Sequence, residues 1–96
     1  MNITKNIISR EQAMAISPDY VAFVEHDFSK FSIVSEAFNT LRRGQRAITY
    51  IDGQFVEVKI TSINHSDFRA IDGPIVRVGN GEFTWRVDGH KYAFPL

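Results

Sequence analysis

Residues 76–96 read VRVGNGEFTWRVDGHKYAFPL, and the way this stretch folds decides the architecture of the chain. Asn80-Gly81 and Asp88-Gly89 each separate short runs in which apolar and polar residues alternate. Alternation has the period of a strand, and Asn-Gly and Asp-Gly supply the positive φ that a two-residue hairpin turn requires. Taken as two-residue loops, these turns pair Gly79 with Glu82 and Val87 with His90. Counting outward from the turns sorts the side chains by face. Val76, Val78, Phe83, Trp85, Val87, Tyr92 and Phe94 share one face, while Arg77, Thr84, Arg86 and Lys91 share the other. The first face belongs in a core and the second meets water or a partner.

Upstream, Asp52-Gly53 is a third turn of this kind and pairs Ile51 with Gln54. Ala47, Ile51, Val56, Val58 and Ile60 then lie on one side of the hairpin, yet Ile48, Tyr50 and Phe55 make the other side apolar too. A hairpin apolar on both sides needs a second cover. The connection 64–74, NHSDFRAIDGP, is the longest in this half, with Phe68 and Ile71 expected inward and His65, Asp67, Arg69 and Asp72 in water. Its His-Ser-Asp run is no catalytic relay, because nucleophile, base and orienting group must converge from separate elements.

Before Gly44 the pattern is helical. Ser9 with Gln12 forms a capping box over a short helix from Arg10 to Ile16. Ser17-Pro18-Asp19 is a second start signal: a hydroxyl cap, a proline where no N–H is needed, and an acid at the positive helix end. Val21, Val24, Phe28, Phe31, Val34, Phe38 and Leu41 then step by three or four along one helical face. A break is expected near 26–29, where Asp27 and Ser29 are good caps, and a strand over 20–24 is the rival reading. Arg42 and Arg43 suit a last helical turn, with Gly44 as its left-handed stop.

The 96 residues make one domain, with a helical segment over 1–44 and an antiparallel β part over 45–96. The expected fold is α+β: N-terminal helices packed on a small five-stranded antiparallel SH3-like barrel or curled sheet. Cysteine is absent, which excludes disulfides and thiolate metal sites. The N-terminus lacks the apolar core of a secretory signal, and no apolar run approaches the ~20 residues of a membrane span, so a cytoplasmic location is expected. Eleven basic and eleven acidic residues cancel overall. They do not cancel locally: through Leu41 there are three bases and five acids, and beyond it eight bases and six acids.

Arg77, Arg86 and Lys91 are the first candidate site, a basic sheet face on three neighbouring strands. Close cations repel unless an anionic surface neutralises them. The plainer alternative is a solvated face that guards against edge pairing. Arg42, Arg43 and Arg46 would extend the basic surface to the helix–sheet junction, or else only complement a helix dipole. Phe31, Phe38, Phe83 and Trp85 are assigned to the core, whereas Tyr50 and Phe55 would form an aromatic contact platform if the helices leave them bare. His65 and Arg69 are candidate loop contacts. His26, His65 and His90 have no metal-ligand spacing, no phosphate-binding glycine loop opens a helix, and no cofactor or catalytic constellation is evident.

The run AITYIDGQFVEVKITSI followed by IVRVGNGEFTWRV resembles the strand–turn–strand rhythm of SH3-like barrels of the Tudor and KOW type, families that mostly bind nucleic acid or peptides. The resemblance covers 46–96 and implies a binding module without defining its contact residues. The ending GPIVRVGNGEFTWRVDGHKYAFPL also resembles the tails of small uncharacterised bacteriophage proteins, which implies a protein acting in a host cytoplasm.

Two functions follow as expectations. The first is a non-enzymatic binding module that contacts nucleic acid or an acidic protein surface through its basic face. The second is a small inhibitor or regulator, phage-encoded if that likeness holds, that binds one host protein complex through its helices and loops. No small-molecule substrate and no membrane contact is expected, and an open edge strand would allow two chains to pair.

Overall fold

The structure is a computed structural model, and it describes residues 3–64, 75–87 and 92–96. The helical segment forms as its caps dictate. Helix α1 spans Arg10–Ile16, with Ser9 and Gln12 closing the capping box. Helix α2 spans Pro18–Val24, and the Ser17 hydroxyl accepts from the Tyr20 amide. Residues 20–24 are therefore helix; the cap and the proline outweigh their β propensity. His26 takes a positive φ of 75°, Asp27 caps the 3-10 turn Phe28–Lys30, and helix α3 runs over Phe31–Asn39. The expected break is present.

Six strands follow the chain: β1 Ile7–Ile8, β2 Arg46–Ile51, β3 Gln54–Asn64, β4 Ile75–Gly79, β5 Thr84–Val87 and β6 Ala93–Pro95. All pair antiparallel in one sheet of order β5-β4-β3-β2-β6, with β1 beside β3. The expected count of five omitted β1, whose two residues lie inside the helical segment. The sheet is not a closed barrel, since no ladder joins β5 to β6 among the described residues. Only five peptide steps link Val87 to Tyr92. Such a length reaches about 17 Å, less than the roughly 19 Å across four flat strand spacings, so the sheet curls to bring its ends within reach.

Asp52-Gly53 forms the two-residue turn as read, with φ of 52° and 75° and Ile51 opposite Gln54. The Asn80 turn does not. Gly79 pairs with Thr84, not with Glu82, leaving a four-residue loop over 80–83. The cause is the Asn80 side chain, whose oxygen accepts from the amides of Glu82 and Phe83 at 2.9 and 2.8 Å. That local bonding offers the backbone an alternative to a tighter hairpin. A slip of two residues preserves the faces, so Val76, Val78, Trp85 and Val87 still point inward and are buried. Phe83 falls in the loop and is 37% exposed, which removes it from the core.

The last expected hairpin does not extend into a β5–β6 ladder among the described residues. Asp88-Gly89 lies outside the described residues, but β6 pairs with β2, at the opposite end of the sheet from β5. The helix stop also moves. Helix α3 ends at Asn39, and Gly44, with φ of 89°, donates its amide to the Ile60 carbonyl at 2.8 Å. Gly44 therefore starts the sheet pairing and does not end the helix.

Helices and sheet enclose one core. Tyr20, fully buried on α2, pins them together: its hydroxyl donates to the Tyr92 carbonyl and accepts from the Tyr50 amide, each at 3.0 Å. Its ring packs against Phe55 and Phe94. That is the second cover the two-sided hairpin requires. Val21, Val34, Phe38 and Leu41 of the helical stripe are buried, but Phe28 and Phe31 are 64% and 47% exposed. The left-handed kink at His26 rotates the segment after it, so the stripe is not continuous. Among the described residues, no helix is long and apolar enough to cross a membrane.

Candidate anion-binding face

In an antiparallel ladder, directly opposed residues project to the same side. Register therefore builds the outer face strand by strand. Arg46 on β2 stands opposite Lys59 on β3, which stands opposite Gly79 on β4, which in turn faces Thr84 on β5. One row further, beyond a bulge between Ile60 and Ser62, Ser62 opposes Arg77 and Arg77 opposes Arg86. Arg46, Lys59, Arg77 and Arg86 are all exposed. They run diagonally across four strands, over about 16 Å from three strand spacings and two residues of rise.

The same face changes character along the sheet. Ile48, Tyr50, Phe55 and Phe94 continue it toward the helices, where Tyr20 covers them. The apolar second side of the first hairpin and the basic side of the later strands are thus one surface, half roofed by helix and half bare.

Electrostatically the bare half is lopsided. Glu57 is its one sheet carboxylate among the described residues, and Arg46 Nη2 binds it at 2.6 Å. Lys59, Arg77 and Arg86 make no ion pair with any described residue, and neither do Arg42 and Arg43 in the turn before β2. Elsewhere Arg10 binds Glu25 at 2.7 Å and Lys30 lies 3.4 Å from Asp19. Hydrogen bonding by Arg10 holds the Glu25 carboxyl below the usual carboxylate range.

A hollow of about 330 Å³ opens in this face. Gly79 lies among its lining residues, with Arg46, Glu57 and Lys59 beside it, and Asn6, Gly44 and the Asn80-Gly81 loop complete the wall. The N-terminal segment is tied in there by reciprocal amide bonds: Asn6 Nδ2 donates to the Asn80 carbonyl at 2.7 Å and Asn80 Nδ2 to the Lys5 carbonyl at 3.0 Å.

Of the residues singled out from sequence, Arg46, Arg77 and Arg86 share this face. Arg42 and Arg43 are exposed in the turn ahead of β2, not in a helical turn. Lys91, His65 and Arg69 lie outside the described residues, and among the described residues β4 is the strand paired with β5. The aromatic platform does not form, because Phe55 is buried under Tyr20 and Tyr50 is half-buried with its ring edge-on to Phe55 at 4.9 Å. Lys59 was missed, although the Asp52-Gly53 register already sets it opposite Arg46. Lys5 and Asn6 carried no local signal, since their place depends on a segment docking some 75 residues away in sequence.

Fold and face together define an α+β protein with an open antiparallel sheet and a basic, glycine-floored outer surface. Compared with known proteins, the chain matches no protein-family model, no curated protein and no solved structure.

Proposed function

We propose that this chain is a non-enzymatic binding module whose bare sheet face contacts a nucleic-acid backbone. The observation that carries this reading is the Arg77–Arg86 pair, two exposed cations directly opposed across a ladder with no ion-paired acid among the described residues, continued by Lys59 and Arg46. Like charges in that position destabilise a sheet by a few tenths of a kcal/mol, a cost that a row of phosphates relieves. No exposed aromatic on this face offers a base-stacking surface among the described residues, which favours phosphate contacts over base readout.

Fluorescence anisotropy with a mixed-sequence duplex tests it. Four phosphate contacts should weaken binding on the order of a hundredfold between 50 and 200 mM salt, and the double substitution Arg77→Ser, Arg86→Ser should remove most of the affinity. Binding of an acidic protein or peptide in place of the duplex would overturn the nucleic-acid reading.

A second reading, a regulator that docks on a protein through its helices, is favoured by a separate observation. Phe28, Phe31 and Ile33 are each exposed on the 3-10 turn and α3. Such a contact would depend on salt far less.

A further inference from the structure

Resting on the basic-face reading above, we propose that the hollow around Gly79 seats a phosphomonoester, the dianionic group at the end of a phosphorylated nucleic-acid strand. At about 330 Å³ the hollow far exceeds the roughly 30 Å³ of one water and holds a phosphate with its attached sugar. Gly79, Gly44 and Gly81 are among its lining residues. A Cβ on Gly79 would stand 3.2 Å from the Thr84 methyl and 3.3 Å from the Thr61 methyl, so a side chain there is crowded and the backbone stays bare. Gly44 and Gly81 flank it at φ of 89° and 86°, a backbone that side chains rarely adopt, so a ligand can approach the main chain closely.

Three cations gather at this one place. Arg46 and Lys59 line the hollow, and Lys5 Nζ lies 3.0 Å from the point a Cβ on Gly81 would occupy. Against them stand Glu57, already bound to Arg46, and Glu82, whose carboxylate accepts from the Thr4 amide and hydroxyl. A monoester dianion, with two charges, gains more from these cations than a backbone diester with one. Arg77 and Arg86 are different in kind, spread along open sheet where diesters would track. The Asn6–Asn80 bonds give the wall a fixed shape, so the seat is built before a ligand arrives.

Two measurements decide the matter. Two otherwise identical oligonucleotides, one with a 5′-phosphate and one ending in a hydroxyl, are titrated by anisotropy. The phosphorylated end should bind about tenfold tighter, the worth of one added charge-assisted contact. That preference should vanish in Lys5→Gln, Lys59→Gln, persist in Arg77→Ser, Arg86→Ser, and fade below about pH 6 as the monoester takes up a proton. Equal binding of both ends by the unaltered chain overturns the seat and leaves the basic face standing. Glycerol phosphate and inorganic phosphate are titrated separately, following the Gly44, Gly79 and Gly81 amides by NMR. Should neither oligonucleotide bind, the nucleic-acid reading fails. Saturable glycine shifts with glycerol phosphate would then assign the seat to a small sugar phosphate, and no shift with either small phosphate would overturn it.

Discussion

Arg77 and Arg86 face one another across the β4–β5 ladder, both exposed and neither ion-paired with an acid among the described residues. Stability and binding should therefore respond to this pair in opposite directions. Arg86→Glu sets an acid opposite Arg77 and should raise stability by about 0.2–1 kcal/mol, as cross-strand opposite charges do. The same change should abolish duplex binding. Urea unfolding and anisotropy on one preparation read both, and a variant that loses stability while keeping its affinity would show that the pair has only a structural role.

The Asn80 side chain holds three backbone groups in place, accepting from Glu82 and Phe83 and donating to the Lys5 carbonyl. It is 4% exposed, so water does not readily replace those partners. Asn80→Ala should cost about 2–3 kcal/mol. It should also speed amide exchange at residues 4–8, because the N-terminal segment loses its anchor on the loop. Unchanged exchange there would mean that the β1 ladder alone secures the segment.

Tyr20→Phe keeps the ring contacts with Phe55 and Phe94 but deprives the Tyr50 amide of its acceptor, a loss of about 1–3 kcal/mol in urea unfolding. Burial, first among the causes, pushes the Tyr20 phenol well above its ordinary range. A raised folded value means that this stability is fully present below the unfolded tyrosine value, near pH 10, and is lost progressively as pH rises beyond it. Alkaline unfolding of the unaltered chain should begin there, and Tyr20→Phe should shift that onset upward. An onset that stays in place would assign alkaline unfolding to other groups.

Phe28 and Phe38 belong to the same sequence stripe but differ in environment, 64% exposed against 3%. The Phe38 ring lies stacked on Tyr92 at 4.6 Å. Phe38→Ala should cost about 3–5 kcal/mol and Phe28→Ser less than about 1 kcal/mol. Comparable urea midpoints for the two variants would place Phe28 in the core. If Phe28→Ser instead leaves stability intact but removes a salt-insensitive protein contact, the helical docking surface gains its first support.

How much of this was legible in the chain varies with the range of the interaction. The outward cations Arg77 and Arg86 could be read because alternation survives a slip of two residues: the wrong loop length still put them on the right side. Lys59 could have been read by the same count from Asp52-Gly53. The burial of Phe55 could not, since it depends on Tyr20 arriving from a helix 35 residues upstream. The exposure of Phe31 was equally hidden, because a stripe drawn at helical spacing assumes an axis that the positive φ at His26 interrupts.

The sequence by itself determined what a few neighbouring residues can settle: the capped helices Arg10–Ile16 and Pro18–Val24, the break after them, and the Asp52-Gly53 turn with its register. Each rests on side chain-to-backbone bonds or φ preferences that act within one turn of chain. Only the tertiary structure decided that β6 joins β2, that Ile7–Ile8 extends the sheet beside β3, and that Arg46 and Lys59 line one hollow with Lys5 beside its Gly81 wall. Strand partners are chosen by which pairing buries the most apolar surface and satisfies the most backbone groups at once. That balance is struck over the whole chain, so no local stretch records it.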